Sequence, residues 1–290
     1  MRILSHVLLL TLLFAALSVM AVTVSPSPAA QVGLTPPPTA TPVPGITLVG
    51  RSAGGYPIIA QQFGDGPMPV LLIGGIHGGW EMNTVLLMNE VSAPFDAHPE
   101  DIAPNLSLYV IPAANPDGLR HGRRRAGRFN ANSVDLNRNW GCNWSDEAYW
   151  GSREVDPGPK PFSEPETRAL RDFIVALQPA AVVWYHSAAG GVFAGRCRED
   201  DNGSARLAQV YGEGADYPAD APFSAYAVSG TASDWIDGQG IPSMEVELYS
   251  WREIEWEHNL AGIMALQCHF AGLGVGDALA AFVARACVEA

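Results

Sequence analysis

Short apolar runs rich in Val, Ile and Leu alternate with helix-patterned stretches along most of this chain, and that alternation restricts its fold more than any other feature. Tyr56 to Phe63, Val70 to Gly74, Leu106 to Ile111, Ala180 to Tyr185 and Ser243 to Leu248 read as strands. Trp80 to Val91 reads as an amphipathic helix. So does the stretch opened by Ser163 as N-cap and Pro165 in the first turn, with Ala169, Leu170, Phe173, Ile174 and Leu177 on one face. Glu253 to Ala271 and Val275 to Val288 read as closing helices. Largely apolar strands have to be covered on both faces. The pattern therefore predicts an α/β fold, a three-layer α/β/α sandwich around a mixed, mostly parallel sheet of about eight strands. Pro112 to Pro161 is polar and too long for an ordinary connection, which marks it as functional.

Of the 290 residues, 48% are hydrophobic and only 16% charged, so the chain buries a core. Thirty acidic against 17 basic residues give a formal charge of −13, which argues against nucleic acid or an anionic membrane surface as the main partner. Lys160 is the one lysine, and Arg120, Arg123, Arg124, Arg125 and Arg128 form a local cationic patch that needs a reason.

Arg2 precedes an apolar run from Val7 to Val22 that is short for a membrane span, and Val19-Met20-Ala21 offers a signal-peptidase site. Residues 1–22 are therefore expected to be a signal peptide, with an uncleaved N-terminal anchor as the alternative and the only route to a membrane. Residues 23–45 are rich in Pro and Thr, with too little to bury, and read as a linker. Residues 46–290 remain as one large domain of an exported protein, secreted, periplasmic or at the cell surface. The four cysteines are even in number and lack CxxC spacing, which suits disulfides: Cys142 with Cys197 and Cys268 with Cys287 are the favoured pairs, against four buried thiols.

In sheets of this kind ligands sit beyond the carboxyl ends of strands. The run from Val70 leads to His77, followed by Gly78-Gly79-Trp80-Glu81 at the start of a helix, and the run from Ala180 ends at His186. Glu81 is the only carboxylate between Asp65 and Glu90. Two histidines and a glutamate can hold a catalytic zinc with one position left for water. A histidine at a strand end is as readily a hydrogen-bonded structural residue, so spacing alone leaves both readings open. No HExxH occurs, which excludes a helix-borne zinc-protease site.

Other segments decide the matter. Asn115-Pro116-Asp117-Gly118, Arg128-Phe129-Asn130-Ala131-Asn132, Val134-Asp135-Leu136-Asn137-Arg138-Asn139-Trp140, His186-Ser187 and Glu247-Leu248 follow His77 and Glu81 in order. From Ile46 to Leu248 this set resembles the zinc carboxypeptidase family, particularly its short bacterial members, which include murein peptide amidases. The resemblance implies one Zn²⁺ per chain held by His77, Glu81 and His186, with Glu247 as general base and Arg128 polarising the scissile carbonyl. It makes Asn137 and Arg138 the pair that binds the substrate's terminal carboxylate, and Tyr226 the mobile tyrosine that closes over it. The chain departs from the family in one respect, placing three residues between His77 and Glu81 where two are common. The implied activity is hydrolysis of a peptide bond next to a free C-terminal carboxylate, by a monomer acting on peptide or murein-peptide substrates.

Side chains two apart on a strand share a face, so Glu245 is expected to look into the site beside Glu247 while Met244, Val246 and Leu248 face the core. The resemblance makes Ser233 the floor of the side-chain pocket. An acid in its wall predicts preference for C-terminal lysine or arginine, or the distal amine of diaminopimelate, unless Arg196 or Arg198 neutralises it or Glu247 holds it protonated. Competing functions are a zinc-dependent deacylase of N-acyl amino acids and a non-catalytic peptide-binding module on the same fold. More remote is a serine hydrolase at Ser52, since Gly50-Arg51-Ser52-Ala53-Gly54 fits G-x-S-x-G but lacks the strand-to-helix context.

Overall fold

The structure, a computed structural model, describes residues 45–197, 201–219, 222–274 and 276–287. The expected signal peptide, and the linker up to residue 44, lie outside the described residues, as does Arg198.

The chain opens with a hairpin, β1 (Ile46–Arg51) and β2 (Pro57–Phe63), followed by β3 (Met68–Ile73), α1 (Met82–Ala97) and β4 (Leu106–Ile111). The polar stretch then carries one turn of helix, α2 (Pro116–Leu119), and two short strands, β5 (Ala148–Trp150) and β6 (Arg153–Val155). After it come α3 (Pro165–Leu177), β7 (Ala181–Ser187), β8 (Gly191–Ala194), α4 (Ser204–Ala215), α5 (Ala232–Gly238), β9 (Ser243–Leu248), α6 (Trp256–Gly272) and α7 (Asp277–Ala286).

The sheet runs in the order β1-β2-β4-β3-β7-β9-β8. Its centre, β4, β3, β7 and β9, is parallel, while β1–β2, β2–β4 and β8–β9 pair antiparallel. The three-layer mixed fold is as expected, but the sheet has seven strands and its antiparallel edges equal its parallel centre in pairings. Among the described residues no eighth strand joins, since β5 and β6, three residues each, pair only with each other.

Residues alternate between two cores. Val70 and Leu72 pack with Leu87, Met88 and Val91 of α1, Leu207 of α4 and Leu266 of α6 on one face. Leu71 and Ile73 pack with Leu170 and Ile174 of α3 and Ile236 of α5 on the other. Each such buried side chain contributes about 1.5–3 kcal/mol. Boundaries shift locally: Trp80 and Glu81 belong to the turn before α1, and Glu164 rather than Ser163 is the N-cap of α3. Ser163 instead donates its hydroxyl to Glu164 Oε1 at 2.8 Å. Both disulfides pair as expected, Cys142 with Cys197 and Cys268 with Cys287.

Candidate metal centre and active site

Three neighbouring parallel strands deliver the chemistry to one edge of the sheet. Beyond β3 the chain passes Gly74 to Ile76, reaches His77 and turns into α1. At Gly78, with φ +45°, a Cβ would lie 2.7 Å from Gly118 Cα, and at Gly79 one would lie 2.6 Å from Gly122 O. Only glycines let the 118–127 loop close on this turn. The amide of Trp80 donates to His77 O at 3.0 Å, and Glu81 follows as the N-cap of α1. The extra residue between His77 and Glu81 is thus taken up within a turn clamped from outside.

His186 sits next to the end of β7, paired with Glu247 on β9. Glu81 Oε1 lies 2.7 Å from His77 Nδ1 and Oε2 lies 3.2 Å from His186 Nδ1. All three side chains are buried, and one ligand atom from each lies within 4.8 Å of the others. The donor set, two imidazoles and a carboxylate converging on one point, fits a zinc ion with a further position free. Burial alone would raise the Glu81 carboxyl, but the two histidines hold it at about 2. Burial opposes a charge on His186, yet Glu81, with Glu245 and Glu247, lifts it to about 9. A cation entering here takes the place of that proton.

Asp135, within the Val134 to Trp140 motif, has a task that its sequence context does not reveal. Its Oδ1 lies 3.4 Å from His77 Nε2 and its Oδ2 accepts from Arg128 Nε at 2.7 Å. A carboxylate behind a ligating histidine fixes the ring and raises its basicity. Burial works against the charge on Asp135, but Arg128 and then His77 hold its carboxyl far below the usual range. Arg128 is itself buried, with its guanidinium carbon 4.7 Å from the Trp150 ring centre, and its Nη2 has no hydrogen-bond partner among the described residues.

One cleft is lined by His77, Glu81, Arg128, Asn137, Arg138 and His186 together with Tyr226, Ser233, Glu245 and Glu247. Glu247 Oε2 accepts from Ala189 N–H at 3.1 Å, and burial pushes this carboxyl up to about 7. Arg138 donates from Nε to Tyr149 O at 3.0 Å and from Nη1 to Asn137 O at 2.6 Å. Tyr226 stands half-buried, its ring edge-on to Phe223, and burial raises its hydroxyl. Trp150, read from sequence as packing, also lines the cleft, whereas Trp140 and Trp184 are core. Ser52 is elsewhere: its hydroxyl donates to Asp117 Oδ1 at 2.6 Å and accepts from Tyr56 N–H at 3.0 Å in the β1–β2 turn, so the serine-hydrolase alternative falls.

A buried cation-holding cluster at the carboxyl edge of a three-layer sheet, faced by Glu247 and two arginines, is the arrangement of a metal-dependent hydrolase. Comparison with known proteins narrows that class: residues 45–253 match the zinc carboxypeptidase family, and the chain belongs to it. Over 160 residues it is 35% identical to murein peptide amidase A of Escherichia coli (strain K12), covering 49% of this chain and 59% of that protein. It is 33% identical over 149 residues to carboxypeptidase B of Astacus astacus, covering 44% and 48%. The matched stretch thus spans less than two thirds of either relative. The crystal structure of murein-tripeptide amidase from Escherichia coli O157 superposes with a TM-score of 0.59 at 26% identity, over 79% of this chain and 94% of that one.

Proposed function

We propose that this chain is a zinc-dependent exopeptidase that hydrolyses the amide bond preceding a free C-terminal carboxylate, acting as an exported monomer on peptides or murein peptides. The observation that carries this reading is the single cleft shared by the His77–Glu81–His186 cluster, Glu247 and the two arginines. A bound zinc would be held by His77 Nδ1, His186 Nδ1 and the Glu81 carboxylate, and it supplies a Lewis acid that lowers the pKa of water to about 7.

The remaining tasks belong to the chain's own groups. Glu247 takes the proton of the attacking water and passes it to the leaving nitrogen, as a buried carboxylate near its own pKa can. Arg128, held by Asp135, offers its free Nη2 to the carbonyl oxygen as charge develops there. Arg138 and Asn137 receive the terminal carboxylate, a group arginine binds better than any other side chain. Tyr226 closes over the substrate. The name of the Escherichia coli relative supports the murein peptide as one substrate class. The N-terminal apolar segment, with two disulfides among the described residues, supports export.

The test is turnover of blocked dipeptides with free or amidated C-termini by zinc-loaded and chelated protein, with N-acyl-aspartate as the deacylase control. Chelation should abolish activity, and amidation should cut kcat/KM about thirtyfold or more. Glu247→Gln should keep one zinc and lose about 10²–10⁴ in kcat. Undiminished activity of metal-free protein, or equal cleavage of amidated substrates, would remove this reading.

A further inference from the structure

Glu245 and Asp234 are the carboxylates of the cleft that neither the metal cluster nor the hydrolytic steps employ, and Glu245 is the one held beside Asn137 of the carboxylate-binding pair. Its side chain is only 15% exposed. It stands opposite Phe193 on the neighbouring strand, and its Oε1 accepts from Ser233 Oγ at 2.8 Å and from Asn137 Nδ2 at 3.4 Å. Both donors are neutral, and Oε2 accepts no hydrogen bond among the described residues. No lysine or arginine nitrogen of those residues lies within 4.0 Å; the nearest cationic atom is His186 Nε2, at 3.9 Å and too far for a hydrogen bond.

Asp234, next to Ser233, also lines the cleft, its Oδ1 occupied by the amide of Arg196 at 2.8 Å. The side of the cleft made by Phe193, Ala194, Thr231, Ser233, Asp234 and Glu245 therefore carries two acids and no base. Arg128 and Arg138, the arginines that line the cleft, are held by Asp135 and by the carbonyls of Tyr149 and Asn137, and neither is paired with Glu245. Asn137 links the two regions, since its carbonyl holds Arg138 and its amide holds Glu245. A terminal residue whose carboxylate reaches Arg138 thus has its side chain beside Glu245.

We infer that Glu245, fixed by Ser233 and Asn137, is the specificity residue that selects substrates ending in a cationic side chain, lysine or arginine. This rests on the proposed carboxypeptidase reading. A carboxylate held in place and largely cut off from water gains most from an incoming cation and loses most when a neutral side chain covers it unpaired. An acidic side chain is repelled outright.

The experiment compares zinc-loaded protein on blocked dipeptides that differ only in the last residue, pairing arginine with citrulline and lysine with norleucine, with glutamate as the repelled case. Wild type should favour the cation about tenfold or more in kcat/KM, and Glu245→Gln should reduce each ratio to about threefold or less. Calorimetric binding of free arginine and citrulline to zinc-loaded Glu247→Gln reads the same preference without turnover. Failure of the chain to hydrolyse any peptide would therefore refute the proposed activity while still leaving selectivity measured. Equal handling of arginine and citrulline, or a ratio untouched by Glu245→Gln, overturns the inference. So does loss of zinc from Glu245→Gln, which would mean that the carboxylate acts through His186 rather than on the substrate.

Discussion

Asp135 spends each carboxylate oxygen on the site, one on Arg128 and one toward His77, and Oδ1 also accepts the amide of Asn137 at 3.1 Å. Asp135→Asn leaves the buried guanidinium without its counter-charge, a loss worth about 3–5 kcal/mol. It also weakens the support behind His77, for which such changes cost about 10–100-fold in metal affinity. Chemical denaturation and zinc competition titration should find both losses together; a variant of full stability and full zinc affinity would contradict the arrangement. Asp135 escaped notice in the sequence because a buried carboxylate is legible only through the partners that keep it charged, and those lie across space. Glu81 was legible for the opposite reason, as the only acid in its stretch. Its unusual spacing could not be resolved locally, since what fits it to the site is the 118–127 loop packing onto Gly78 and Gly79.

The elements that announced themselves are those with long apolar runs or a strict period of two, above all β9, where Glu245 and Glu247 face the cleft and Met244, Val246 and Leu248 the core. β8, α4 and α5 gave no such signal. β8 is four residues long, α5 is seven, and α4 carries two glycines and no side-chain cap. Their placement comes from contacts, with Gly212 and Gly214 giving close approach to Ala219 and Ala265. The disulfides act at this scale. Cys142–Cys197 closes 55 positions and holds the segment after β8, whose Cys197 amide donates to Asp237 of α5 at 3.0 Å. Cys268–Cys287 closes 19 positions and ties α7 to α6, away from the cleft. By loop length the first should contribute about 4 kcal/mol and the second about 3 kcal/mol. Paired Cys→Ser variants should accordingly both lose stability in thermal melts, while only the Cys142/Cys197 pair raises KM. An equal effect on KM would show that the cleft does not depend on which bridge is cut.

At the scale of the whole molecule, three buried acids knot the first hairpin to the middle of the chain. Asp117 accepts from Ser52 and from the amides of Gly54 and Ala131, Glu166 accepts from the Ala53 amide, and Asn130 bridges Glu164 and Glu166. Burial pushes the Glu166 carboxyl from 4.5 up to about 7. Between those values the folded chain keeps a proton that the unfolded chain has released, so stability falls as pH rises through the window and is level on either side. The span is at most about 3 kcal/mol. Glu166→Gln should flatten this part of the profile, read as a smaller drop in Tm between about pH 5 and about pH 8 than in wild type. An identical drop would place the proton on another group.

The candidate centre draws on β3, β7 and β9, adjacent in the sheet yet remote along the chain, with Glu81 and His186 105 residues apart and Glu247 further on in the last described strand. A polypeptide still emerging from the ribosome, or one clipped anywhere ahead of that strand, therefore owns fragments of a catalyst and no catalyst. On the proposed reading, hydrolysis requires β9 to be paired with β7, so the appearance of peptidase activity would double as a report that these strands have assembled.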